Sequence, residues 1–361
     1  MLPSSLIRLG KCAVPLVLLT PAWAQQSPSR LIAEQHYRRA EPLVLAELAR
    51  RPQDIEALIE LSTIDWAYGE LDKAQDAAEK AVSLADGSAA AHAQLLNILG
   101  AKLAGKRAST MEKVSLSRRF HKEADRTLEL DPNNVYANEA LARYDWYAPM
   151  LAGGDKTKSM QLVGEVIRID STRGYALKAE LDATQDSGKV LTDWKQAVAA
   201  APQSYAAHIG LGKCLLSAGG ENWKGAEEEA RKAIAIDASR SAAYRLLADV
   251  YAGTGQWQKL DSTIREAHAA APDDLGVEFA AAHTILDKNA QTQFARAEEY
   301  LRNYLNAPAE GLEPSVAMAH WQLGLVLEKE GRRNTALQEV QTAASLDPSL
   351  EGAKHDAKRL Q

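Results

Sequence analysis

Apolar and small residues recur along this chain in a fixed register. Leu61 and Ser62 are followed by Gly69, then by Ala74, Ala78 and Ala81, and the stretch closes at Asp86. The same spacing returns from Leu247 and Ala248 through Gly255, Leu260, Ile264 and Ala267 to Pro272. It returns again from Leu323 and Gly324 through Gly331, Ala336, Val340 and Ala343 to Pro348. A further copy, Leu211 and Gly212 through Gly219, Ala226, Ala230 and Ala233 to Ala238, carries two extra residues in its turn. This register predicts pairs of helices. The leucine and the small residue after it let the first helix lie close against the second, whose alanines supply the facing groove. The glycine eight residues after the leucine stops the first helix, because glycine accepts a left-handed backbone at no steric cost. An Asp-Pro or Ala-Pro step ends the second helix. One such pair cannot bury its own apolar stripe, whereas stacked pairs can.

These residues resemble the tetratricopeptide repeat family, whose unit is about 34 residues of helix-turn-helix. The resemblance covers nearly the whole chain after residue 24, with repeats at 54–86, 89–132, 135–171, 172–202, 205–238, 241–272, 275–309 and 315–348. Residues 31–52 read as an initial helix or half-repeat, and 349–361 as a polar capping helix. The expected fold is all-α: a solenoid in which antiparallel helix pairs form a right-handed superhelix.

The start of the chain carries Arg8 and Lys11, the apolar run CAVPLVLL, and the small-x-small triplet Ala22-Trp23-Ala24. This is the layout of a secretory signal peptide, 1–24, cleaved before Gln25. Cys12 precedes the apolar run and follows a lysine, unlike a lipid-anchored cysteine. No stretch reaches the roughly 18 apolar residues of a membrane helix, so a soluble, exported chain that does not span the membrane is expected, in the periplasm or outside the cell. Removing two basic residues from a formal charge of −6 leaves −8, which gives no global attraction to nucleic acid or anionic lipid. Of the two cysteines only Cys214 survives cleavage, so no internal disulfide can form.

The stretch YAPMLAGGDKTKS, residues 147–159, has the glycines, lysine and threonine of a phosphate loop. It lacks the required order, since Asp155 follows Gly154 and a helical ARYDWYA precedes it. A lengthened hairpin turn is the better reading, with Pro149 stopping one helix, Gly153 and Gly154 turning the chain and Asp155 capping the helix KTKSMQLVGEVIRI. No two of the eight histidines lie three or four residues apart, and neither His-Glu-x-x-His nor Cys-x-x-Cys occurs, so no metal and no cofactor is expected. Gly-x-Ser-x-Gly is absent too, and Gly210-x-Gly212 lies within a helix. The chain reads as a non-enzyme.

One region of this acidic chain is basic. Arg118, Lys122 and Arg126 lie four apart on one helix face; this is a solvated face or a docking patch for an anionic partner. No aromatic residue interleaves with these charges, so nucleic acid is not expected. In the family resembled, first helices line the inner curve. That implies a partner-binding set of Trp66, Asn97, Arg143, Trp146 and Lys213, continued by Arg245, Asp249, His283 and Trp321. The alternative role for each tryptophan is to fill a gap between units. The function expected is a non-catalytic scaffold or adaptor binding a peptide or protein segment in its concave groove. The alternative is a small-molecule-binding accessory protein of an envelope transport system.

Overall fold

The computed structural model describes residues 26–105, 109–184, 187–307, 311 and 314–361. The signal-peptide expectation for 1–24 lies outside the described residues. The described residues form α-helices and short 3-10 turns with no strand. Two helices open the chain, α1 (Pro28–Ala33) and α2 (Tyr37–Arg50). Eight hairpins follow: α3 (Ile55–Ala67) with α4 (Leu71–Leu84), α5 (Ala89–Ala104) with α6 (Thr110–Leu130), α7 (Val135–Tyr147) with α8 (Lys156–Ile169), and α9 (Ser171–Ala183) with α10 (Ser187–Ala200). The second half continues with α11 (Tyr205–Ala218) and α12 (Asn222–Ile236), α13 (Ala242–Gly253) and α14 (Trp257–Ala270), α15 (Gly276–Asp287) and α16 (Phe294–Asn306), and α17 (Val316–Lys329) and α18 (Arg333–Leu346). A last helix, α19 (Glu351–Leu360), packs on α18. The initial segment is two helices rather than one, because Gln35 takes a left-handed backbone (φ 67°) and breaks the run before a buried His36.

Local chemistry explains where the helices start and stop. First helices begin at Asp54, Ser88, Asn134, Asp170, Ser204 and Ser315, each accepting a backbone N–H from the first turn. The short turns are closed by Gly69, Gly255 and Gly331, all at positive φ between 70° and 79°. Two of the lengthened turns add side-chain caps, Ser109 in a capping box with Glu112 and Asp155 accepting from the N–H groups of Thr157 and Lys158.

The core is built from small residues. Ala74, Ala78, Ala81, Ala226, Ala230, Ala233, Ala336 and Ala343 are all fully buried on second helices. Where the facing helix carries glycine, the approach is closer than any side chain permits: a Cβ on Gly324 would lie 2.4 Å from Val340 Cγ2. Buried Ser62 donates to the Ala74 carbonyl and Ser159 to that of Ala142, each at 2.7 Å. Histidines join the two helices of a hairpin. His92 Nδ1 lies 2.6 Å from Glu123 and its Nε2 3.0 Å from the Asp86 carbonyl; His208 spans Glu229 and the Pro202 carbonyl at 2.5 and 2.9 Å.

Tryptophans seat on glycines of a helix further along the chain. Cβ atoms on Gly210, Gly253 and Gly352 would stand 2.1, 2.0 and 2.4 Å from the rings of Trp194, Trp223 and Trp321. The stack also curves back on itself. Arg39 pairs with Asp273 and Arg38 donates to the Asp273 carbonyl at 3.2 Å, although 234 residues separate Arg39 from Asp273. Helix α2 therefore touches the junction between α14 and α15.

Gly210→Ala forces the Trp194 ring out of its seat. We expect a loss of about 1–3 kcal/mol in unfolding free energy, measured by urea denaturation. An unchanged midpoint would show that the ring is not clamped there.

Candidate functional site

The first helices stand side by side, and the inner-curve set lies along them. Trp66 on α3 is 38 % exposed, and Lys213 on α11 and His283 on α15 are also exposed. Asn97 on α5 is half-buried. Arg143, Arg245, Asp249 and Trp321 are half-buried as well, and Trp146 is the one buried member of the expected set.

Others are committed to neighbouring hairpins. Arg143 donates to Glu180 of α9 at 2.9–3.1 Å and to Glu139 one turn earlier. Burial works against the charge of Arg143, but the two carboxylates outweigh it and hold the guanidinium above its ordinary range. Arg245 pairs with Asp274 at 2.7 Å, and Asp249 accepts from Thr284 at 2.7 Å.

Two tryptophans depart from the expectation of an exposed groove contact. Trp146 is only 7 % exposed; its indole donates to Thr184 at 3.0 Å and Lys156 sits 4.8 Å above its ring. Trp321 packs on Gly352 and donates to Asp356 at 2.9 Å. Both fill gaps between successive units, because each ring packs against the following unit and its N–H finds an acceptor there. The basic stripe is also reduced. Arg126 reaches Asp86 and Glu129 at 3.2 Å, whereas Arg118 and Lys122 are exposed and without an ion-pair partner among the described residues.

Sequence reasoning missed Glu139, Arg173, Glu180 and Trp194. With Arg143 they line a cavity of about 550 Å³ between α7, α9 and α10. Arg173 clasps Glu139 with two hydrogen bonds of 2.7 and 2.9 Å and stacks over Tyr136. A second cavity of about 580 Å³ lies on the other flank of α9, against Trp146, Lys156, Met160 and Asp182. The 34-residue offset between Glu139 and Arg173 was the available signal, since it equals one repeat.

The loop at 147–159 is a hairpin turn. Met150–Ala152 form a 3-10 turn, Gly153 has φ 93°, and a Cβ on Gly154 would meet the Ala148 carbonyl oxygen at 1.9 Å. Among the described residues no group of three His, Cys, Asp or Glu could hold a metal ion, and no helix is long and apolar enough to cross a membrane. Cys214 is half-buried, and burial pushes its thiol above the usual range, away from the reactive thiolate.

No family model matches this chain, and no curated protein does. Solved structures similar to this chain include three helical-repeat proteins. Yeast Tom70 aligns at a TM-score of 0.52 and 14 % identity, over 92 % of this chain and 79 % of that one. TTC0263, a thermophilic TPR protein of Thermus thermophilus, aligns at 0.45 and 17 % identity, over 52 % of this chain and 95 % of that one. A human IFIT1 dimer with PPP-AAAA aligns at 0.41 and 15 % identity, over 90 % and 82 %.

Burial raises the Asp249 carboxyl to about 6, with Thr284, Lys213 and Arg245 opposing the rise. A carboxyl raised in the fold contributes stability that is full below its unfolded value near 4 and lost as pH climbs through about 6. Asp249→Asn keeps the acceptor for Thr284 and removes the charge. It should raise the denaturation midpoint at pH 7.5 by the equivalent of about 1–2 kcal/mol and leave it nearly unchanged at pH 4. An equal effect at both pH values would refute this assignment. Repeating helix hairpins, glycine-closed turns and alanine-lined contacts give this chain the tetratricopeptide-repeat fold, an all-α solenoid.

Proposed function

We propose that this chain is an exported, non-catalytic scaffold that holds a peptide or protein segment along the concave face of its first helices. The observation that carries the proposal is the contrast along that face. Its braces, Arg143 with Glu180, Arg245 with Asp274 and Asp249 with Thr284, are paired across hairpins, while Trp66, Lys213 and His283 remain exposed between them. Paired braces fix the spacing of the exposed side chains. A bound segment then meets a preorganised row of modest contacts instead of one deep pocket. The cavity beside Trp194 supplies an apolar wall next to a charge-balanced rim of two arginines and two glutamates. Such a rim suits a polar peptide backbone with an apolar side chain directed inward. Location in the periplasm or outside the cell rests on the signal-peptide pattern of residues 1–24.

A second reading, a small-molecule accessory protein of an envelope transport system, draws on the contact between Arg39 and Asp273, which turns the stack back toward its own start. It predicts a defined small ligand in the mass spectrum of protein purified from its host.

Photoreactive side chains at Trp66, Lys213 and His283 should capture one partner in the native envelope, and one at outward-facing, exposed Glu228 should not. Trp66→Ala should weaken binding of that partner about tenfold, the scale of an aromatic hot spot. Equal labelling at all four positions would remove the support for a groove.

A further inference from the structure

The lengthened third hairpin carries apolar side chains outward. Leu151 is 104 % exposed, Met150 85 % and Tyr147 55 %. The apex is fixed in place: the Tyr144 hydroxyl donates to the Ala152 carbonyl at 2.7 Å and lies 2.8 Å from the Ser117 hydroxyl of α6, while its ring stacks on Phe120. One turn before Ser117 is Val114, and one turn before that is Met111, 85 % exposed. Two neighbouring hairpin tips thus present one apolar edge.

Cations surround that edge. Lys113, Arg118 and Lys122 on α6 have no hydrogen-bond or ion-pair partner among the described residues. Arg118 and Lys122 follow Met111 at helical spacing on the same face. Lys156 and Lys158 at the start of α8 are exposed but engaged, Lys156 over the Trp146 ring at 4.8 Å and Lys158 3.4 Å from Asp145. Glu112 and Asp155, at the starts of α6 and α8, are engaged in capping backbone N–H groups; further along α6, Glu123 is buried against His92, Glu129 pairs with Arg126 and Asp125 is exposed.

We propose that this edge docks the protein on an anionic phospholipid bilayer. Leu151 and Met150 enter the interface, and Lys113, Arg118 and Lys122 meet headgroup phosphates. A protruding apex has no concavity to receive a partner's side chains, whereas a fluid apolar phase beneath anionic headgroups accepts it without shape matching. Lysine and arginine stems cover apolar surface while their charges stay in water. Association of two copies through the same edge would set the two cationic rims against each other. The chain as a whole is acidic, so only this edge is drawn to the surface.

Flotation of the full chain with vesicles of phosphatidylcholine, alone or mixed with phosphatidylglycerol, tests this. Binding to the mixed vesicles should exceed binding to phosphatidylcholine at least about tenfold, and should fall as salt rises. The double variant Met150→Ser, Leu151→Ser and the double variant Arg118→Glu, Lys122→Glu should each lower it about tenfold. In a Leu151→Trp variant, indole emission should shift to the blue on mixed vesicles. No partition at low salt, or binding unchanged in both double variants, overturns the proposal. So does a concentration-dependent dimer by light scattering that Met150→Ser, Leu151→Ser abolishes, which would assign the edge to self-association, and so does capture of a protein partner that both double variants release while vesicle binding is absent.

Discussion

The whole architecture depends on the close approach of helices through small side chains. Ala74, Ala78, Ala226, Ala230 and Ala336 leave no surface exposed, and Gly212 and Gly324 bring helices nearer than a Cβ would permit. Each contact of this kind is weak in isolation and gains its value from repetition, because every hairpin buries its stripe against the next. The largest hydrophobic cluster runs continuously from Ala226 on α12 to Leu360 on α19, without a boundary at any repeat. Close packing also sets the hydrogen-bonding geometry: with backbones this near, Ser62 and Ser159 reach carbonyls of the facing strip, and His92 and His208 reach carboxylates.

Polar braces then give the stack its register. Arg143 to Glu180, Arg173 to Glu139, Asp249 to Thr284 and Trp321 to Asp356 all span roughly one repeat. Half-buried charge pairs of this sort add little net stability, since desolvation offsets attraction, but a lost partner leaves an uncompensated charge. Their effect is to fix the spacing of exposed residues between them. The contact of Arg39 with Asp273 extends that logic to the whole curve, tying helix α2 to the second half.

Much of the fold was legible because its signals are local. Gly69, Gly255 and Gly331 mark turns by their backbone freedom, and Asp155 marks a helix start by its side-chain acceptor, whatever the rest of the chain does. The candidate site was less legible. Trp66 and Trp146 occupy similar places in their helices, yet one is exposed and the other sealed by Thr184 and Lys156; the difference lies in neighbours 38 and 10 residues away. Periodicity places a side chain on a face but says nothing about whether the adjacent repeat offers it a partner. Counting residues revealed the surplus in the third hairpin, while the outward aim of Leu151 depends on the bond from Tyr144 to Ala152.

Stacking between nearest neighbours is the central claim, and native-state hydrogen exchange across a denaturant series addresses it most directly. Amides should lose protection in separate groups of one or two adjacent hairpins, those near the chain ends at the lowest free energies. Exchange of every helix at one common free energy would mean that the molecule opens as a single block, and would contradict a stack held together hairpin by hairpin.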